Sequence, residues 1–185
     1  MKKTCKTLLL SLLVLVFACA AAHCEETASV YDDISMTELL NDLVARLGEP
    51  LLTEDGYYDF GGALVAAYES GRLKGKILAF DDIAAVAAPS QADFTQAHSL
   101  RQGASIESVE ELMGGSGREI AMLRLSDEEN AGSRRVLAWA NEAGDAMEAL
   151  FELDDGQWVL FCYEKRDVLT GDARVQVIQG DLAEP

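Results

Sequence analysis

The feature that most constrains the fold of this sequence is an order of elements that occurs twice. Apolar residues at helical spacing run through residues 39–47 and end at Gly48, and a second such run covers residues 106–113 and ends at Gly114. A glycine directly after the last apolar position is typical of a helix end, because glycine adopts the left-handed conformation without strain. Aromatic and aliphatic runs broken by turn residues follow each helix. The sequence therefore predicts a helix followed by a β-meander, twice.

Local signals predict where these elements begin and turn. We expect the first helix to be capped by Ser35 or Thr37 and the second by Ser105, because a hydroxyl oxygen accepts hydrogen bonds from the first free amides of a helix. Residues 69–71 (Glu-Ser-Gly) and 154–156 (Asp-Asp-Gly) interrupt the strands. Each is expected to form a three-residue hairpin loop with a left-handed glycine in the last position.

These signals predict an α+β protein of two tandem helix-plus-antiparallel-meander repeats, with the helices on one face of the sheet. The predicted segments are a signal peptide at 1–22, an N-terminal segment at 23–32, repeat 1 at 33–84, a connector at 85–93, repeat 2 at 94–168 and a C-terminal tail at 169–185.

The N-terminus has the pattern of a secretory signal peptide. Lysines precede an apolar run from Leu8 to about Ala22, which is shorter than the roughly 20 residues that a spanning helix needs. Two processing routes remain open. Cleavage after Ala20 or Ala22 would release the chain, whereas the lipobox-like residues 16–19 would make Cys19 the lipidated first residue. The mature chain is expected outside the cytoplasm, either secreted or lipid-anchored, with no membrane span.

The charge balance narrows the classes of partner. The chain has 32 acidic and 15 basic residues, a net charge of −17. Binding to phosphate needs clustered Lys and Arg, so nucleic acid is excluded as a partner, and an acidic surface steers cationic partners instead. Two cysteines, Cys24 and Cys162, survive processing. They can form a disulfide in an oxidising compartment. Alternatively, both stay reduced, with Cys24 on a frayed terminus and Cys162 as a small buried side chain.

Enzymatic motifs fail when their spacing is tested. The segment around Ser116 lacks the last glycine of a nucleophile elbow, and "GRLKGKI" has three residues, not four, between the glycines of a phosphate loop. A calcium loop starting at Asp127 would place Ala131 and Ala138 where oxygen ligands are needed. His98 is the one histidine certain to survive processing, too few for a multi-histidine zinc site. No catalytic residue, metal or cofactor is predicted.

Surface recognition by aromatic residues is the remaining prediction. A sheet covered by helices on one face leaves its other face free, and aromatic side chains are frequent anchors of protein interfaces. The candidate partner-binding residues in the meander strands are Tyr57, Tyr58, Tyr68, Trp139 and Trp158.

Trp158 is the first candidate because of the predicted hairpin register. A three-residue loop pairs Leu153 with Gln157 and turns Trp158 onto the free face, whereas a four-residue loop pairs Leu153 with Trp158 and buries the indole. In the first register, the opposite face is shared by Phe151, Val159, Phe161 and Tyr163.

The segment from Phe94 to Gly114 resembles the repeat of the β-lactamase inhibitory protein family and of the small SmpA/OmlA outer-membrane lipoproteins. Their unit has the approximate form F-x-x-I/L-x-x-G-M-T-x-x-x-V-x-x-x-L-G-x-P. The matching positions here are Phe94, Leu100, Gly103, Ser105, Val109 and Gly114, and the first copy keeps Met36, Thr37, Leu43, Leu47, Gly48 and Pro50. Ala104 replaces the usual methionine, and no proline follows Gly114.

This resemblance implies that in each unit two helices pack on one side of an antiparallel sheet, and that the tandem sheets present a concave protein-binding surface. The disulfide found within each repeat of the inhibitor family has no counterpart, since neither meander contains two cysteines.

The leading expectation is an exported, non-enzymatic protein-binding module, either inhibitor-like or a cell-envelope assembly factor, whose partner is an unknown extracytoplasmic protein. One alternative is an extracytoplasmic hydrolase or small-ligand-binding enzyme on an α+β scaffold. Another is a surface lipoprotein that acts mainly as a scaffold. The scarcity of histidine and the failed motifs favour the binding module.

Overall fold

The structure is a computed structural model that describes residues 27–53, 57–61, 64–78, 83–124 and 133–166. The predicted signal peptide with Cys19, the residue Cys24, the loop at Asp127 and the predicted tail at 169–185 lie outside the described residues. No helix in the described ranges is both long and apolar enough to span a bilayer.

The described residues include three α-helical segments and two 3₁₀ turns beside the sheet. Residues 27–32 are helical (α1), and the two helices predicted from the apolar spacing are α2 (Leu40–Leu47) and α3 (Ile106–Met113). The 3₁₀ turns are η1 (Ile83–Ala85) and η2 (Phe94–Ser99). Helices of eight residues are marginal alone, so their stability depends on the apolar face that each buries.

In the part of the chain that the structure describes, nine strands form one sheet. They are β1 (Leu51–Leu52), β2 (Tyr58–Asp59), β3 (Leu64–Glu69), β4 (Arg72–Leu78), β5 (Ala88–Ser90), β6 (Arg118–Arg124), β7 (Ser133–Asn141), β8 (Ala146–Asp154) and β9 (Gln157–Arg166). The order is β1-β2-β3-β4-β6-β7-β8-β9, and neighbours are antiparallel. The predicted connector contributes β5, which pairs in parallel with β7. The structure thus agrees with the predicted combination of helices and an antiparallel sheet.

The predicted ends of the second helix are confirmed. The Ser105 hydroxyl accepts a hydrogen bond from the Ser108 amide at 3.3 Å, and Gly114 ends the helix in the left-handed conformation with φ 77° and ψ 15°. The amide of Gly115 donates to the carbonyl of Glu110 at 2.9 Å, which satisfies a carbonyl that the helix itself leaves open. The glycine-rich stretch after this helix is therefore a structural helix end.

The first helix ends at Gly48 as predicted, with φ 93°, but its predicted start is wrong. Leu39 is the N-cap residue, and no side chain caps the helix. Leu39 is held in an extended conformation by a β-bridge to Arg72, which delays the helix. The hydroxyls of Ser35 and Thr37 instead lie 2.8 Å apart and bond to each other.

The two predicted hairpins form, but their loops have two residues, not three. Glu69 pairs with Arg72 around Ser70-Gly71, and Asp154 pairs with Gln157 around Asp155-Gly156. All four loop residues have positive φ, between 45° and 80°. Loops of this kind follow the twist of the paired strands, so the residue before each loop stays in the ladder.

The core consists of two clusters of buried apolar side chains. The first contains residues of α1, α2, β3 and β4, and the second contains residues of η2, α3, β8 and β9. Strand β7 contributes to both, since Leu137 and Trp139 belong to the second cluster and Ala138 to the first. Because successive side chains of a strand point in opposite directions, the two clusters meet β7 from opposite sides.

Candidate partner-binding surface

Trp139, one of the predicted partner-binding residues, lies in the core. Its side chain has 0% exposure, and its indole N–H donates to the Gly115 carbonyl at 2.9 Å. A fully buried indole offers no surface to a partner. The prediction for Trp139 is therefore wrong, because helix α3 and the loop after it cover this side of β7.

Trp158 does not stand free on an open sheet face either. The two-residue loop pairs Leu153 with Trp158, which is the pairing expected to bury the indole. The ring is half-buried against the second core cluster, and the Arg135 guanidinium carbon lies 4.8 Å from its centroid. The register from which we derived the exposure of Trp158 is therefore wrong.

Phe161 is exposed, whereas strand alternation predicted that its side chain lies on the same face as those of Phe151 and Tyr163. The register shifts at Phe151, which pairs with Leu160, whereas Leu150 pairs with Cys162. This bulge leaves Phe161 without a direct partner on β8, and it is 41% exposed while Phe151 and Tyr163 are buried. A bulge is a common way to re-aim a side chain, and strand alternation alone does not reveal it.

Of the three predicted tyrosines, only Tyr57 is exposed, at 39%. Tyr58 and Tyr68 are half-buried and pack edge to face with their ring centroids 5.8 Å apart. Burial, with the Glu38 carboxylate as the next cause, raises the pKa of Tyr68 to about 12. Tyr68 contacts the first core cluster, so it supports the fold more than it presents a surface.

Two leucines that sequence analysis missed are the most exposed large apolar residues in the described part of the chain. Leu51 is 76% exposed and Leu52 is 65% exposed, and together they form β1, the first strand in the sheet order. Tyr57 bonds to Thr53, the residue directly after the two leucines. We call the surface of Leu51, Leu52 and Tyr57 the apolar edge. Pro50, directly before the two leucines, could have indicated it, because proline in a sheet is confined mainly to edge strands and strand starts.

The hydrogen-bond pattern shows which backbone groups of β1 point outward. Thr53 donates to the Tyr57 carbonyl at 2.8 Å, so these two residues form a hydrogen-bonded pair. Hydrogen-bonded and non-hydrogen-bonded pairs alternate in an antiparallel ladder, and the next pair is Leu52 with Tyr58. The N–H and C=O of Leu52 therefore point away from β2, toward the open side of the sheet.

The sequence around the apolar edge carries charge of one sign. Between Arg46 and Arg72 there is no lysine or arginine, whereas the segment contains Glu49, Glu54, Asp55, Asp59 and Glu69. The apolar edge therefore lies within a stretch of chain that attracts cations.

The described residues contain no group of three or more His, Cys, Asp and Glu side chains placed to hold a metal ion. His98 is exposed and its Nδ1 contacts the Thr95 carbonyl of its own turn. Burial raises the pKa of the Cys162 thiol, which disfavours the nucleophilic thiolate. Comparison with protein-family models and with curated proteins finds no match to this chain.

Proposed function

We propose that this chain is an exported, non-enzymatic protein-binding module and that its apolar edge contacts the partner. Five large apolar side chains are exposed in the described ranges, and three of them, Leu51, Leu52 and Tyr57, belong to this edge. A concentration of exposed apolar side chains on one edge is typical of an interaction site. This is the observation that carries the proposal.

Export is supported by the signal-peptide pattern at residues 1–22, and the mature chain is proposed to be extracytoplasmic, either secreted or anchored through Cys19. Metabolic labelling with a lipid analogue distinguishes these two forms. Incorporation that is lost in Cys19→Ala would identify the anchored form.

The resemblance to the β-lactamase inhibitory protein and SmpA/OmlA repeats supports a binding role. Two structural similarities favour an internal repeat: both helices end at a glycine, and both meanders contain a two-residue hairpin loop. We infer that residues 33–84 and 94–168 are two copies of one unit. Helix α2 belongs to the first core cluster and α3 to the second, and these clusters meet β7 from opposite sides, so a shared helix face is not part of this proposal.

Affinity capture tests the proposed function. Residues 23–185, used as bait on envelope and culture-supernatant fractions of the producing cell, should retain a specific protein. Leu52→Lys should abolish that capture, because it places a charge in the apolar edge. The matched control is Phe161→Lys, at an exposed apolar residue on β9, the last strand in the sheet order. Equal capture by both variants would contradict the proposed role of the edge, and no specific capture by the wild type would contradict the binding function.

A further inference from the structure

We infer that the apolar edge binds an extended segment of its partner as an added β-strand, in which Lys or Arg residues alternate with apolar ones. This inference rests on the proposed function and names the kind of partner. It follows from the backbone of β1, from its side chains and from the charge around it.

The backbone of β1 offers one complete pairing position. The N–H and C=O of Leu52 point to the open side of the sheet, so a strand laid beside β1 would exchange two hydrogen bonds with this residue. Pro50 is the preceding residue with the same orientation, and it can accept a hydrogen bond but cannot donate one. Strand addition of this kind supplies main-chain affinity to extended peptides.

The side chains extend this contact to both faces of the added strand. Leu51 and Leu52 are consecutive, so they point to opposite sides of the sheet, and both are largely exposed. In an alternating partner strand, the apolar residues would pack beside the leucine on one face, and the aliphatic stems of Lys or Arg would pack beside the leucine on the other face.

The acidic residues around β1 determine which charge a partner strand should carry. Glu49 and Asp59 flank the two leucines, and the segment between Arg46 and Arg72 has no basic residue. An acidic strand beside β1 would bring like charges close together, which is unfavourable, whereas a basic strand would bring opposite charges close together. A second copy of this chain would bring its own acidic residues to the contact, so the observations favour a basic partner segment over self-association.

Synthetic peptides test the inference. The probe is a ten-residue peptide of alternating Lys and Val with blocked termini. One control has the same sequence with every backbone nitrogen N-methylated, which keeps the charge but removes the main-chain donors from both edges of the strand, and a second replaces Lys with Glu. The alternating Lys-Val peptide should bind at least about tenfold more tightly than either control. Equal binding of the N-methylated peptide would overturn strand addition, because charge attraction alone would then explain the affinity.

Amide hydrogen exchange locates the contact. The Lys-Val peptide should slow exchange of the Leu52 amide by about tenfold or more and leave the amides around Phe161 unchanged. Unchanged exchange of the Leu52 amide would overturn the inference. If its exchange slowed when the protein concentration was raised without peptide, a second copy of the chain would be the occupant instead. If Leu52→Lys abolishes partner capture while the peptide leaves Leu52 unaffected, the proposed function stands and strand addition is wrong.

Discussion

The ammonium group of Lys76 donates hydrogen bonds to the backbone carbonyls of Tyr31 at 3.0 Å and Ile34 at 2.9 Å. It also lies 4.1 Å from the centroid of the Tyr31 ring, and the Tyr31 hydroxyl donates to Glu119 at 3.0 Å. A lysine of strand β4 thus satisfies carbonyls at the C-terminal end of helix α1, where a positive charge is also favourable to the helix dipole. The first described element of the chain is tied to the sheet in this way.

Replacing Lys76 with Met should lower the free energy of unfolding by about 3 kcal/mol or more, because Glu119 and two carbonyls would lose a buried cationic partner. Lys74→Met is the matched control on the same strand. It removes an ion pair at 3.3 Å with the exposed Glu69 and should cost less than about 1 kcal/mol. Urea denaturation measures both, and equal losses would contradict the anchoring role of Lys76.

Tyr68 should make the fold sensitive to alkali. Its pKa is raised to about 12 from an ordinary 10.0, chiefly by burial. The folded state therefore holds this proton more tightly than the unfolded state, so the stabilisation is complete below about pH 10 and is lost as the pH rises toward 12. Tyr68→Phe should reduce this loss in a series of denaturation curves at increasing pH. Part of the loss should remain, because burial also raises the pKa of Tyr31 and of Tyr163.

Two glycines after α3, Gly114 and Gly117, should contribute to stability for different physical reasons. Gly114→Val should cost about 1 kcal/mol or more from backbone strain alone, because φ is 77° and the nearest atom to an added Cβ is 4.0 Å away. Gly117→Ala should cost about 1–3 kcal/mol from overpacking, because its Cβ would lie 2.5 Å from Cζ2 of Trp139. Thermal unfolding measures the loss for each single variant and for the double variant. The double variant should lose less stability than the sum of the Gly117→Ala and Trp139→Ala losses, because the clash is absent without the indole. An additive pair would contradict the steric explanation.

The two tryptophans should differ in their effect on stability. Trp139→Ala should cost about 3–5 kcal/mol of folding free energy, since the indole is fully buried and hydrogen-bonded. Trp158→Ala should cost roughly half as much, because its ring is only partly buried under Arg135. Partner capture measured on the Trp158 variant should equal that of the wild type. A specific loss of capture would restore Trp158 as an interface anchor.

Part of the candidate site could be anticipated from the sequence. The predicted aromatic residues of the first meander include Tyr57, which is exposed in the structure and belongs to the proposed apolar edge. Leu51 and Leu52 were missed, because two adjacent leucines have no periodicity and their exposure depends on β1 being the last strand at that edge. Trp139 was predicted to lie on a free face, but residues distant in sequence bury it, and a local pattern does not reveal such contacts.

The sequence by itself determined features that depend on a few neighbouring residues. Ser105 and Gly114 mark the ends of α3 because a cap and a left-handed residue act within a single turn of helix. Strand register was decided only in the tertiary structure, as the bulge that exposes Phe161 and the pairing of Leu153 with Trp158 show. The anchoring of α1 by Lys76 joins residues more than 40 positions apart. Such pairings depend on which surfaces the whole chain buries, and no local pattern of residues contains that information.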